Sequence, residues 1–167
     1  MSPQFTSRPV TPADLPAIHA LHARTFGPGR FVRTAYRVRE GTPAISRYCR
    51  ATYLGERLIA AVRMTPISIG GAEGALLLGP LVVDPDFAGQ GFGKRLIAEM
   101  IETARADGLK LILLVGDEPY YGRFGFRPVP PGQIAMPGPV NPQRLLAAEL
   151  TDDALSGMHG LVAGLPG

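Results

Sequence analysis

The chain has 167 residues, a length that suits one domain able to bury a core of its own. Hydrophobic residues make up 46% and charged residues 19% of the sequence, a balance that excludes a disordered chain. The single cysteine, Cys49, excludes a disulfide framework and a multi-cysteine zinc site, and we interpret it as a small buried side chain. No apolar run approaches a membrane span and no signal peptide is evident, so we expect a cytoplasmic protein without a membrane partner.

The net charge of +3 hides an uneven distribution along the chain. Residues 1–63 contain ten arginines and three acids, a net charge of +7, whereas residues 64–167 carry a net charge of −4. A basic half can attract nucleic acids or acidic substrates. No nucleic-acid-reading motif accompanies the arginines, so we favour a solvated arginine-rich surface, with nucleic-acid binding as the weaker alternative.

The first half of the chain predicts a short extended start, two helices and then three strands. Thr11 suits an N-cap with Pro12 at the first helical position, and Gly27-Pro28-Gly29 would end this helix. His19 and His22 lie on it without a nearby carboxylate or thiol, so we interpret them as polar-face side chains and expect no metal. The second helix and the strands are predicted at residues 31–40, 46–54, 58–69 and 75–83, with turns at 55–56 and 70–74.

The third strand contains Gly79-Pro80 within an otherwise apolar run. Proline has no N–H to donate to a neighbouring strand. Either the strand ends there, or it is bulged and diverges from a neighbour. A divergence would leave a gap in which backbone groups can face a ligand.

The second half of the chain predicts a βαβ unit. Residues 91–107 show the apolar spacing of an amphipathic helix, Gly108 would end it, and Leu111–Val115 reads as a buried strand. A short helix over 119–124 and a late strand over 144–150 follow. We therefore expect an α/β fold with a mixed sheet and one domain over residues 1–167.

The segment between the third strand and the helix, DPDFAGQGFGKR, is rich in glycine. Free N–H groups at a helix N-terminus bind anions, and Lys94 and Arg95 in the first turn oppose the helix dipole unless an anion offsets them. The alternative is a plain glycine turn with two solvated basic side chains. Neither a Walker A loop nor a dinucleotide fingerprint fits, because Ala88 and Lys94 stand where those patterns need glycine.

The spacing of Gly91 and Gly93 resembles the acetyl-CoA loop of the GNAT N-acetyltransferases, Q/R-x-x-G-x-G/A, with Ala88 departing from the pattern at its first position. The similarity extends to LLLGPLVVDPDFAGQGFGKRL, LILLVGDEPYYGRFGF and PGPV at 137–140, which look like the YhbS-like branch of that superfamily. It covers roughly Phe5 to Val162.

The resemblance implies a strongly twisted mixed sheet, flanked by helices, whose bulged central strand diverges from its parallel neighbour. The pantetheine arm of acetyl-CoA would lie in that opening. Backbone groups of Leu81, Val82 and Val83 would bind the pantetheine amides and polarise the thioester carbonyl. The pyrophosphate would be bound by backbone N–H groups of the loop, from Gly89, Gln90, Gly91, Phe92, Gly93 and Lys94.

The resemblance also implies an N-acetyltransferase that moves the acetyl group directly to a primary amine in a ternary complex. Tyr121 takes the place of the leaving-group acid in a Y-x-K-x-G-F ending, with Arg123 replacing the lysine. A phenol with a pKa near 10 is a weaker acid than a thiol near 8.5, so we expect Tyr121 to donate a hydrogen bond and not a whole proton. Packing is the alternative role for Tyr121, and the one that we favour for Tyr120.

The general base is not assigned from the sequence. The bulged strand lacks the family's glutamate, and Leu114 stands where the family has an asparagine. Glu40, Glu73 and Asp84 are candidates without geometric support. The missing base leaves open a non-catalytic acyl-CoA-binding or regulatory module as the alternative function.

The acceptor is expected to be a small-molecule or peptide amine that binds near residues 26–40. The arginines of that segment indicate an acceptor that carries a carboxylate or phosphate. A homodimer is compatible with the sequence.

Overall fold

A computed structural model describes residues 4–26 and 34–166, which form a mixed sheet with helices packed against it. The helices are α1 (Leu15–Phe26), α2 (Thr34–Arg39), α3 (Phe92–Ala106) and α4 (Glu118–Tyr121). The strands are β1 (Phe5–Pro9), β2 (Arg50–Leu54), β3 (Arg57–Ile69), β4 (Ala72–Val83), β5 (Leu111–Val115), β6 (Arg127–Pro128), β7 (Ile134–Ala135), β8 (Leu145–Glu149) and β9 (Gly160–Gly164). None of the helices in these ranges is long and apolar enough to cross a bilayer.

The strands follow the order β1-β2-β3-β4-β5-β8-β6, and β9 pairs with β3 and β7. Neighbours along this path are antiparallel except β4 and β5, which run parallel and are joined through α3. Parallel neighbours require such a crossover, because a tight turn can join only antiparallel strands. The predicted βαβ unit and mixed α/β sheet are confirmed.

The apolar face of α3 fixes this helix on the sheet. Leu96, Ile97 and Met100 are fully buried on a core that includes Met64 and Ile112 from the strands. Further buried clusters lie around β5, β8 and β9 and beneath α1. The packing of α3 holds its first turn beside the end of β4, where the site is formed.

The first helix begins one turn later than predicted. Thr11 caps a 3-10 turn over Pro12–Asp14, and α1 starts at Leu15. The Asp14 carboxylate accepts a hydrogen bond from the Thr11 backbone N–H at 2.7 Å, which completes a capping box. The predicted stop at 27–29 and the first residues of the second predicted helix lie outside the described residues, and α2 is seen from Thr34.

The boundaries of several strands differ from the prediction. Residues 46–49 form a turn and not a strand, since Cys49 N–H donates to Ser46 O at 3.1 Å and Ser46 Oγ donates to Met64 O at 2.6 Å. The β4 strand begins at Ala72, before the predicted start at residue 75, and β8 is one residue shorter at each end. The short strands β6, β7 and β9 were not predicted, because two to five residues carry little periodicity of their own.

Candidate functional site

A bulge in β4 begins the site. Val62 pairs with Leu81 and Met64 with Leu78, so that Gly79 and Pro80 together oppose a single residue of β3. Gly79 has a φ of +129°, a backbone conformation that glycine adopts freely, and its peptide bond to Pro80 is cis. Of the two alternatives predicted for Gly79-Pro80, a strand end or a bulge, the structure shows the bulge.

Beyond the bulge, β4 and β5 separate. In the described chain their last parallel pair is Leu77 with Leu113, although β5 continues alongside β8 to Val115. The edge of β4 that would have carried β5 therefore faces an opening. A cavity of about 1050 Å³ occupies it, with Pro80 and Leu81 on one side and Val115, Gly116 and Tyr121 on the other.

The glycine loop follows β4 and leads into α3. Gly89 and Gly91 have φ values of +77° and +87°, and a Cβ at either position would meet no atom within 4 Å, so this backbone is open to a ligand. Gly91 is the N-cap of α3, whose first backbone N–H groups lack intrahelical acceptors. Gln90 and Lys94 are exposed beside it, whereas Phe92 is buried against Phe5 with ring centroids 4.8 Å apart.

Gly93 connects this loop to the cavity. A Cβ on Gly93 would lie 2.8 Å from the Tyr120 hydroxyl, 3.5 Å from Leu81 Cδ2 and 3.6 Å from Val83 Cγ2. A side chain at this position would require the Tyr120 hydroxyl to move. The structure thus places Leu81 in the cavity lining and Val83 beside α3, while the side chain of Val82 is buried in the cluster beneath α1.

Tyr121 lies on the opposite side of the opening, at the end of α4. The predicted short helix is present as α4 and a 3-10 turn over residues 122–124. The Tyr121 ring packs edge-to-face on Tyr120 at 4.8 Å and on Phe126 at 5.9 Å, and a Cβ at Gly116 would lie 2.6 Å from its Cε2 atom. Among the described residues, no hydrogen bond occupies the Tyr121 hydroxyl.

Burial is the main cause that raises the pKa of Tyr121 to about 12, and Tyr120 and Asp117 add to it, against a lowering effect of Arg144. The pKa of Tyr120 is also raised, again mainly by burial. Tyr121 is therefore protonated throughout the neutral range. It can donate a hydrogen bond to a ligand atom in the cavity.

None of the three carboxylates considered as a base lines the cavity. Glu40 and Glu73 are exposed, and Asp84 is buried in an ion pair with Arg57 at 3.0 Å. A hydrogen bond from the Asp86 backbone and the pairing with Arg57 lower the pKa of Asp84. The structure therefore places none of these three candidates in the cavity.

Several polar side chains line the cavity that the sequence analysis did not assign to the site, among them the two histidines interpreted there as polar-face side chains. His19 and His22 of α1 and Asp117 at the start of α4 bring three groups able to accept a proton. Arg39 of α2 and Arg63 of β3 bring two positive charges. These side chains come from distant segments, so their meeting in one cavity could not be predicted from local sequence. The density of arginines was the one feature of the sequence that indicated a charged site.

Half of the arginines in the basic half of the chain are paired with acidic side chains within the fold. Five of its arginines form ion pairs with acidic side chains: Arg8 with Asp14, Arg24 with Asp84, Arg47 with Asp107, Arg50 with Glu99, and Arg57 with Asp84 and Asp86. This pairing removes much of the charge that nucleic-acid binding would use. In the described ranges, no group of three His, Cys, Asp or Glu residues is arranged to hold a metal ion.

Comparison with known proteins agrees with this architecture. The curated relatives include the N-acetyltransferases YhbS and YjhQ of Escherichia coli K12, both named as uncharacterized. YhbS is 28% identical over 152 residues, or 90% of each chain, and YjhQ is 30% identical over 130 residues, or 74% of this chain and 70% of YjhQ.

Two solved structures resemble the whole chain. The crystal structure of Escherichia coli YhbS in complex with CoA has a TM-score of 0.78 at 26% identity and covers 99% of this chain and 92% of its own. A GNAT family acetyltransferase from Brucella melitensis in complex with acetyl-CoA has a TM-score of 0.63 at 26% identity, with 92% and 99% covered. The family profile described as Acetyltransferase (GNAT) matches residues 15–126. With two thirds of its length matched by that profile, the chain belongs to the GNAT family of acetyltransferases.

Proposed function

We propose that this protein is an acetyl-CoA-dependent N-acetyltransferase that transfers the acetyl group directly to a primary amine. The observation that carries the proposal is the opening between β4 and β5, because an unpaired strand edge and Tyr121 line it and the first turn of α3 approaches Leu81 at its side. Support comes from the CoA and acetyl-CoA bound in the related structures from Escherichia coli and Brucella melitensis.

The acetyl donor would extend along β4. Backbone groups of Leu81, Val82 and Val83 on the edge without a strand partner would pair with the pantetheine amides, as a neighbouring strand does. The pyrophosphate would bind the backbone N–H groups from Gly89 to Lys94, including those of Gln90, Gly91, Phe92 and Gly93. The lack of a polar side chain at Ala88 removes one contact from a binding site that consists mainly of backbone.

The reaction is a direct displacement at the thioester carbonyl. The amine nitrogen attacks the carbonyl carbon, a C–N bond forms, and the oxyanion is stabilised by a backbone N–H of the segment from Leu81 to Val83. The C–S bond then breaks, the nitrogen passes its extra proton to solvent water, and CoA leaves as a thiolate that accepts the hydrogen bond of Tyr121. The products are the N-acetylated amine and CoA.

Thermal unfolding tests the donor site first. Acetyl-CoA at about 100 times its Kd stabilises a folded protein by about 2.7 kcal/mol, a shift in Tm of roughly 5–10 °C for a chain of this length. We expect that shift with acetyl-CoA and CoA but not with ATP. A chain that shows no shift at millimolar acetyl-CoA is not an acetyl-CoA enzyme.

Release of CoA in the presence of an amine tests the chemistry. A panel of primary amines is incubated with protein and acetyl-CoA, and free thiol is measured against a reaction without amine. Stabilisation by acetyl-CoA without CoA release from any amine would favour the non-catalytic acyl-CoA-binding module instead.

A further inference from the structure

Of the four arginines that line the cavity in the described chain, Arg39 and Arg63 have part of the guanidinium group removed from water. The Nε atoms of Arg39 and Arg63 are inaccessible to solvent and have no hydrogen-bond partner among the described residues. Buried donors of this kind are normally paired, because an unsatisfied charged group loses its hydration without compensation. Their position therefore needs a physical reason.

The two side chains are held at the bulge of β4. A Cβ on Gly79 would lie 2.7 Å from Arg39 Nη2, so the Arg39 guanidinium rests against the bulge itself. Arg63 lies on β3 directly opposite the bulge, and its Nη2 donates to Thr42 Oγ1 at 3.2 Å and to Pro43 O at 3.3 Å. The Thr42 hydroxyl in turn donates to Arg39 O at 2.6 Å, which ties the end of α2 to Arg63.

The described part of the chain supplies these two charges with no counterion. Five other arginines of residues 1–63 have acidic partners within 4 Å, but no carboxylate pairs with Arg39 or Arg63 in residues 4–26 and 34–166. Burial, and the charge of Arg63, lower the pKa of Arg39 to about 9. Burial also lowers the pKa of Arg63. Both guanidinium groups remain charged at neutral pH, so an anion that enters the cavity gains two nearby positive charges.

The acetyl donor does not satisfy these charges in the binding mode proposed above. Its pyrophosphate would lie at the loop of residues 89–94, which does not contribute to the cavity lining. The part of the donor that would reach the bulge is the uncharged acetyl thioester. The anion opposite Arg39 and Arg63 must then come from the other substrate.

We propose that the acceptor is a small primary amine that also carries an anionic oxygen group, a carboxylate or a phosphate, bound by the guanidinium groups of Arg39 and Arg63. The inference rests on the proposed acetyltransferase function and specifies its acceptor. Guanidinium groups bind both anions through paired N–H donors. Anchoring the anion at the bulge holds the amine of the same small molecule near the thioester.

Matched pairs of amines test this inference with the wild-type protein. L-phenylalanine is compared with L-phenylalaninamide, L-lysine with L-lysinamide, and phosphoethanolamine with ethanolamine. For each compound, kcat/KM is measured from CoA release, and the shift in Tm is measured in the presence of saturating CoA. We expect at least one acid to exceed its neutral counterpart by about 30-fold or more in kcat/KM, the size expected for a buried charge pair, and to stabilise the CoA complex where its counterpart does not. The preferred pair distinguishes carboxylate from phosphate.

Variants of the two arginines test the same inference from the protein side. In Arg39→Gln and Arg63→Gln, kcat/KM for the preferred acid falls by about 30-fold or more, while that for its neutral counterpart changes little. Arg105→Gln, on the exposed face of α3, is the matched control and retains both values. The shift in Tm with acetyl-CoA shows that each variant is folded and still binds the donor.

The outcomes separate the two proposals. If acetyl-CoA gives no shift in Tm, the proposed function is wrong and the acceptor inference fails with it. If acetyl-CoA binds but no acid is preferred over its neutral counterpart in rate or in stabilisation, the acceptor inference alone is wrong. Equal losses for acid and neutral amine in the Arg39 and Arg63 variants would also overturn it, since they would show a structural role for the two arginines.

Discussion

Replacing Tyr121 by phenylalanine removes one hydroxyl from the cavity and leaves the ring in place. The ring is held by Tyr120, Phe126 and the close approach of Gly116, none of which depends on the hydroxyl. In the described chain that hydroxyl has no hydrogen-bond partner to lose. We therefore expect Tyr121→Phe to fold normally and to bind acetyl-CoA with unchanged affinity.

The pKa of Tyr121 sets the size of the effect on turnover. A phenol with a pKa of about 12 and a thiol with a pKa near 8.5 differ enough to make full proton transfer uphill by about 5 kcal/mol. Tyr121 then contributes a hydrogen bond to the departing thiolate, which is worth about 1.5–3 kcal/mol. We expect kcat of Tyr121→Phe to fall by about 10- to 150-fold, well short of the roughly 10⁴-fold upper range of general acid catalysis.

Single-turnover CoA release under saturating acetyl-CoA and amine measures this effect without interference from product release. Tyr48→Phe is the matched control, since the Tyr48 hydroxyl donates to Asp107 Oδ2 at 2.8 Å and lies outside the cavity lining. The pH profile gives a second readout. Tyr121 donates in its protonated form, which is present below a pKa of about 12, so it causes no loss of rate up to pH 10.

Two results would refute this reasoning. An unchanged single-turnover rate in Tyr121→Phe would show that Tyr121 is not the donor to the sulfur. A decline in the wild-type rate with a midpoint near pH 10 that disappears in Tyr121→Phe would show that burial does not raise the pKa of Tyr121.

Three further predictions concern stability. Gly93→Ala brings a methyl group to 2.8 Å from the Tyr120 hydroxyl, so we expect the free energy of unfolding, measured by thermal unfolding, to fall by about 1–3 kcal/mol. Tyr120→Phe in the same chain should restore part of that loss, and an unchanged Tm in Gly93→Ala would show that the Tyr120 side chain moves aside without cost. Asp14→Asn removes the charge from a buried carboxylate that accepts a hydrogen bond from Tyr53, and we expect urea unfolding at pH 7 to show a loss of about 2–3 kcal/mol. Because the folded state lowers the pKa of Asp14, this stabilisation is present above pH 4 and lost as the pH falls below it, so the two proteins should converge in acid. Between pH 10 and 12, the wild-type free energy of unfolding should decrease because Tyr53 and Tyr121 keep their protons in the folded state to about pH 12, and Tyr121→Phe should make that decrease shallower.

Local chemistry explains the parts of the fold that the sequence predicted well. Gly79-Pro80 signals a bulge because proline lacks the N–H that a regular strand pair requires, and the bulge is observed at these residues. The apolar spacing over 91–107 defines α3 to within one residue at each end, because its buried face extends over four turns. Each of these features is determined by a single segment of the sequence and does not depend on distant residues.

Other features depend on distant partners and could not be predicted in this way. The segment at Ser46 has the composition of a strand, but its side chain instead binds Met64 O and the chain turns before Cys49. Arg39 and Arg63 are ordinary arginines in the sequence, and only the fold, which places the end of α2 beside the bulge of β4, brings them to one cavity. The sequence analysis considered only the backbone N–H of Gly93. The close approach of Gly93 to Tyr120 depends on the fold and could not be predicted from the sequence.

The separation of β4 from β5 has a consequence for hydrogen exchange. In an antiparallel pair, successive residues of a strand direct their N–H groups alternately to one neighbour and to the other side. Beyond the bulge, where β4 pairs regularly with β3 again, every second amide of β4 is therefore protected by β3, while the amides between them face the opening. Fast and slow exchange should alternate along Leu81, Val82 and Val83 of the free protein, and occupation of the opening should slow only the fast set. Amide exchange in this short stretch would then report donor binding directly, in the absence of any acceptor or turnover.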